Sequence, residues 1–98
     1  MSYRILIGPG AVKDIQKSID YYEEQKKDLG KLFVEELHEK ISALKINPFY
    51  QIRYDDVHCY PLHKFPHMIH YTVNGEDKSV VIRAVFHTSM SPEKWKER

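Results

Sequence analysis

Ser79–His87 reads SVVIRAVFH, a run dominated by valine, isoleucine and phenylalanine and the most strand-like stretch of the chain. Strand side chains alternate, so strict periodicity puts Val80, Ile82, Ala84 and Phe86 on one side and Val81, Arg83, Val85 and His87 on the other. The first set is apolar throughout. The second carries a cation and an imidazole among valines, which predicts a sheet with one core face and one partly polar face. A functional surface is expected on the polar face.

Immediately before this strand, Asn74-Gly75 is a strong hairpin signal. It predicts an antiparallel partner in Lys64 to Val73, with Phe65, His67, Ile69, Tyr71 and Val73 on one side and Pro66 at an edge or bulge. Upstream, Gln51 to Tyr54 and His58 to Leu62 read as two short strands around the turn-like Asp55-Asp56. Downstream, Ser91-Pro92 predicts a short helical turn over Glu93 to Arg98, with Ser91 as its N-cap.

The N-terminal half has a different period. Tyr3 to Ile7 is strand-like and ends at Gly8-Pro9-Gly10. From Ala11, the residues Val12, Ile15, Ile19 and Tyr22 repeat at helical spacing opposite a charged side. Gln25 to Asp28 reads as a connection with Asp28 as N-cap, and a second helix carries Leu29, Phe33, Leu37, Ile41 and Leu44 until Asn47-Pro48 stops it. Glu35, Glu36, Glu39 and Lys40 are expected on its solvated side. The predicted class is α+β: an N-terminal strand, an antiparallel helical hairpin packed on a twisted antiparallel sheet, and a short C-terminal helical turn, all in one domain over residues 1–98.

Composition narrows the function classes. A formal net charge of +1 lacks the basic field that nonspecific binding to nucleic acid or anionic membrane requires. Cys59 is the single cysteine, so neither an internal disulfide nor a cysteine metal cluster can form, and it reads as a small half-buried hydrophobe in a reducing cytoplasm. The apolar run near the N-terminus is too short for a signal peptide or a membrane span. His58, His63, His67, His70 and His87 crowd the C-terminal half, but their spacing matches no zinc pattern, and His67 and His70 fall on opposite faces of one strand. No metal and no cofactor are expected. His38 reads as a surface residue, and the tyrosines as rim residues with hydroxyls in water, although they could also stack on bases.

The order of elements, and certain residues within it, resembles the RelE/ParE superfamily of toxin–antitoxin toxins. The resemblance rests on Ala11-Val12-Lys13-Asp14-Ile15, on Phe33 to Pro48 (FVEELHEKISALKINP), on Phe65 to Tyr71 (FPHMIHY) and, most specifically, on Ala84 to Trp95 (AVFHTSMSPEKW). Related sequences commonly carry an arginine-aspartate pair where this chain has Met90-Ser91. The family implies a small cytoplasmic protein, often of plasmid stabilisation systems, that arrests growth and is neutralised by a cognate antitoxin, alone or as a homo- or hetero-oligomer. ParE-like members poison DNA gyrase; RelE-like members cleave mRNA on the ribosome.

Metal-free RNA cleavage needs an acid, a base and cations around the phosphorane. With Arg83 and His87 expected on one face, and Lys64 and Arg53 approaching from neighbouring strands, the nuclease reading assigns catalysis to His87, Arg83 and Lys64. The gyrase reading assigns target binding to Arg53, Arg83 and Trp95. A third reading, an inactive antitoxin-binding remnant, draws on Met90-Ser91. The near-neutral charge favours the ParE-like reading.

Overall fold

A computed structural model describes residues 2–50 and 52–95, without the side chains of Arg53 and Pro92. The elements in order are β1 (Arg4–Ile7), α1 (Pro9–Gln25), α2 (Leu29–Ile46), β2 (Ile52–Tyr54), β3 (Val57–Pro61), β4 (His67–Asn74), β5 (Ser79–His87) and α3 (Pro92–Trp95). The strands form one sheet in the order β1-β5-β4-β3-β2, with β1 parallel to β5 and the other pairs antiparallel. The α+β class and the helical hairpin are as expected. Gln51 and residues 96–98, included in the expected strand and C-terminal turn, lie outside the described residues.

The helices pack on the inner face of the sheet. Ala11, Phe33, Leu37 and Leu44 meet Ile69, Tyr71, Val80, Ile82 and Val85 in one core. Gly30 is where the two helices come closest: a Cβ there would lie 2.9 Å from the Ile19 carbonyl oxygen. Deleting a large side chain such as Phe33, fully buried at the centre, leaves a cavity worth about 3–5 kcal/mol.

Several local devices differ from the expected ones. Helix α1 begins at Pro9 rather than Ala11, since a proline in the first turn gives up no helical hydrogen bond. Asp28 does not cap α2 with its side chain; it sits in left-handed backbone at φ 68°. The connection is held instead by Glu23, whose carboxylate accepts from the Asp28 and Gly30 N–H groups at 3.0 and 3.1 Å. The β4–β5 turn is tied by Asn74 Oδ1, which accepts from Glu76 N–H, and closes with Lys78 at φ 55°.

Glu36 is the largest departure on the helices. It is buried rather than solvated, and its carboxylate accepts from the backbone N–H groups of His63 and Lys64 at 2.9–3.0 Å. Burial alone would raise its pKa, but those N–H groups, the Lys40 charge and the Phe65 N–H together hold it below the ordinary value. By tying down residues 63–66 it delays β4 until His67, so Lys64 lies on a loop and not on a strand.

The sheet also breaks the strict alternation of β5. His70 pairs with Ala84 but Tyr71 pairs with Ile82, leaving Arg83 as the extra residue of a β-bulge. Both Arg83 and Ala84 therefore turn outward, and every later residue changes face. Val80, Ile82, Val85 and His87 pair with the inward Val73, Tyr71, Ile69 and His67, whereas Phe86 lies outward opposite Met68.

Candidate functional site

The bulge separates the two residues that strict alternation places together. Arg83 lies on the outer face and His87 on the inner one, in different clefts. The expected shared face of Arg83 and His87 is thus corrected. Lys64 is exposed on its loop and lines neither cleft, and the Arg53 side chain lies outside the described residues.

The outer cleft, of about 180 Å³, has Arg83, Thr72, Asp55 and Trp95 in its walls. Arg83 Nε donates to Thr72 Oγ1 at 3.0 Å, which orients the guanidinium along the sheet. Beside it Trp95 of α3 packs on His70 and Tyr54, with ring centroids 4.9 and 5.5 Å apart. His70 is fully buried. Its Nδ1 meets the Tyr54 hydroxyl at 3.1 Å and Cys59 Sγ at 3.5 Å, while its Nε2 and the Trp95 Nε1 are buried without hydrogen-bond partners. Burial holds the His70 ring neutral, with its pKa pushed down to about 4 against the opposing pull of Asp14. Trp95 thus covers the outer face rather than the sheet edge.

The inner cleft, of about 540 Å³, opens between α1 and the ends of β4 and β5. The Tyr22 hydroxyl meets His67 Nε2 at 2.9 Å, and the His67 and His87 rings lie edge to face with centroids 5.3 Å apart. His67 is buried and neutral: desolvation, then the nearby His87, lower its pKa to about 4. His87 is exposed, and its Nδ1 accepts from the Ser89 N–H at 3.0 Å. Sequence reasoning missed this pairing of His67 and His87. The histidine spacing held a signal for it, since His67 and His87 stand at the outer ends of a hairpin paired through Asn74-Gly75. Tyr22 and Tyr54 spend their hydroxyls on histidines, and the Tyr71 hydroxyl donates to the Pro48 carbonyl at 2.7 Å in the core, so these three tyrosines do not hold their hydroxyls in water as expected.

Among the described residues no group of three or more histidines, cysteines or carboxylates is placed to hold a metal, and no helix is long and apolar enough to cross a membrane.

Comparison with known proteins joins this fold to a family. A chain of the chromosomal ParDE toxin–antitoxin system of P. aeruginosa superposes with a TM-score of 0.77 at 16% identity, over 90% of this chain and 98% of that one. A chain of the archaeal RelE–RelB complex of Pyrococcus horikoshii OT3 gives 0.62 at 20% identity, over 93% and 100%. A chain of the RelBE2 toxin–antitoxin complex of Mycobacterium tuberculosis gives 0.60 at 17%, over 89% and 99%. At these identities the likeness is one of fold. No curated protein matches the sequence significantly. The model of the family described as the ParE toxin of the type II toxin–antitoxin system parDE matches residues 5–92, nearly the whole chain, and the protein therefore belongs to the ParE toxin family.

Proposed function

We propose that this toxin arrests growth by binding its target rather than by cutting RNA, that the target is DNA gyrase, and that a cognate antitoxin neutralises it in the cytoplasm as part of a plasmid stabilisation system. The observation that carries this reading is the bulge at Arg83. A phosphorane needs its cation and its acid–base groups within contact distance. Here the layers of the sheet stand between Arg83 and His87, and Lys64 joins neither. A net charge of +1 supports the same reading, because contact with ribosomal RNA draws on a basic surface. The structural neighbours from Pyrococcus horikoshii and Mycobacterium tuberculosis are toxin–antitoxin complexes, which supports a protein antitoxin as partner and a hetero-oligomeric complex with it.

In this proposal Arg83 and Trp95 form the target-contact surface, joined by Arg53 from β2. The arginine offers a fixed fork for carboxylate or phosphate, and the indole supplies apolar area beside it.

The test is induced expression of the chain alone in a bacterial host, with growth, transcript integrity and the DNA-damage response followed in one culture. Arrest with intact transcripts and a damage response is expected, and Arg83→Glu should relieve the arrest far more than Arg4→Glu. Cleaved transcripts would transfer the function to a nuclease, and normal growth with abundant folded protein would identify an inactive antitoxin-binding remnant.

A further inference from the structure

The inner cleft has features that target binding through Arg83 and Trp95 does not use. Hydrogen-bond donors converge at its floor. The Ser89 backbone N–H can only donate, so His87 Nδ1 is the acceptor nitrogen and the neutral ring carries its proton on Nε2. Tyr22 faces His67 Nε2. The phenol O–H is the natural donor to that nitrogen, which places the His67 proton on Nδ1, an atom buried without a partner in a residue only 6% exposed. Lys17 and Ser18 add an ammonium and a hydroxyl from α1.

The remaining walls are apolar or aromatic. Tyr21, Tyr22, Val85 and Met90 surround the histidines. The Met90 N–H bonds to the His87 carbonyl at 3.0 Å and the Thr88 N–H to the Pro66 carbonyl at 2.8 Å, which fixes the loop that closes one side. The carboxylate in the wall, Asp14, accepts from the Val85 N–H at 3.1 Å. The volume, about 540 Å³, falls in the range of ligand pockets, roughly 300–1,000 Å³.

We propose that this cleft is a binding site for an apolar carboxylate: the anion seated on His87 Nε2–H and His67 Nδ1–H with Lys17 at the rim, and the apolar body between Tyr21 and Met90. A free aryl or alkyl carboxylate has this chemistry, and so does an acidic side chain next to an aromatic one on a protein partner. An anion here would give the unpartnered His67 nitrogen the hydrogen bond that the protein leaves unmade. The site is independent of which target the toxin has.

The experiment titrates the isotope-labelled protein with 3-phenylpropionate, with the neutral 3-phenylpropionamide and with capped N-acetyl-Phe-Glu-amide, following backbone amides and imidazole nitrogens by NMR. The carboxylate is expected to shift the His67 and His87 nitrogens and to bind at least tenfold more tightly than the amide. His87→Ala should weaken it about tenfold, His87→Gln should retain most of it because the amide nitrogen replaces Nε2, and Lys17→Ala should weaken it several-fold. Tighter binding of the capped dipeptide than of the free acid assigns a protein side chain as the source, and the reverse assigns a small molecule. Equal binding of acid and amide, shifts confined to Thr72 and Arg83, or no binding by folded protein would each overturn the proposal.

Discussion

On the inner face of the sheet, helices of 17 and 18 residues bury Ile69, Tyr71, Val80 and Ile82; on the outer face, a four-residue helix and one tryptophan cover His70, Ala84 and Phe86. The inner core is closed by polar groups that find partners: Tyr71 reaches Pro48, and Glu36 holds the His63–Lys64 backbone. Under α3, by contrast, His70 Nε2 and Trp95 Nε1 are buried with none. Each such atom costs roughly 1–3 kcal/mol. The contrast teaches that stability is concentrated where the helices lie, and that the outer cover is the part of the molecule most ready to open.

The sharpest way to break that comparison is to change the length of β5. Deleting Arg83 removes the bulge but leaves Ile82 inward, Ala84 outward and Val85 inward, so the protein should still fold, at a cost of about 1–2 kcal/mol. Deleting Val85 throws Phe86 inward and His87 outward, and should abolish cooperative unfolding. Circular dichroism melts of both variants decide it; equal damage would mean that Arg83 is not the extra residue.

Next in size is a pair of truncations. Phe33→Ala should lower the free energy of unfolding by about 3–5 kcal/mol in urea titrations. Trp95→Ala should lower it by only about 1–2 kcal/mol, because a half-buried indole with an unpaired N–H returns part of its burial energy. A larger loss from Trp95 would reverse the ranking of the faces.

Acid should act on both sides of the sheet. His67 and His70 take up protons only near pH 4 when folded, against an ordinary value of 6.5. Unfolding therefore binds protons between those values, so the stability the neutral rings contribute is complete above pH 6.5 and is lost as pH falls toward 4. Glu36, with its pKa lowered, adds to the loss as pH drops through the carboxylate range. At about 1.4 kcal/mol per tenfold change in proton affinity, the two rings amount to a few kcal/mol. Urea midpoints across pH 4–7.5, with NMR titration of each ring, test this; either histidine titrating near 6.5 would refute it. The smallest effect belongs to Tyr22→Phe, expected to cost about 1 kcal/mol by removing the bond to His67.

Much of this architecture was legible because hydrophobic period carries it. The 3.6-residue repeats gave both helices, and Asn74-Gly75 gave the β4–β5 hairpin. What stayed hidden depends on partners distant in sequence. SVVIRAVFH alternates without fault on paper, and only pairing with β4 shows that Arg83 is supernumerary. Glu36 looks like any exposed helix glutamate until residues 63–64, 27 and 28 positions on, present their N–H groups. The His67–His87 pair was missed because period-two counting carried His87 to the wrong face.

The parallel pairing of β1 with β5 sets a timetable for the chain. Arg4–Ile7 must wait for Ser79–Ile82 before it has a strand to join, and β5 is also the partner of β4. The sheet thus has its central strand made last, at large loop-closure cost. A ribosome translating this toxin carries two finished helices with no sheet to rest on until residue 87 has emerged. The molecule acquires both clefts, and with them any capacity to harm or to be recognised, in one late step.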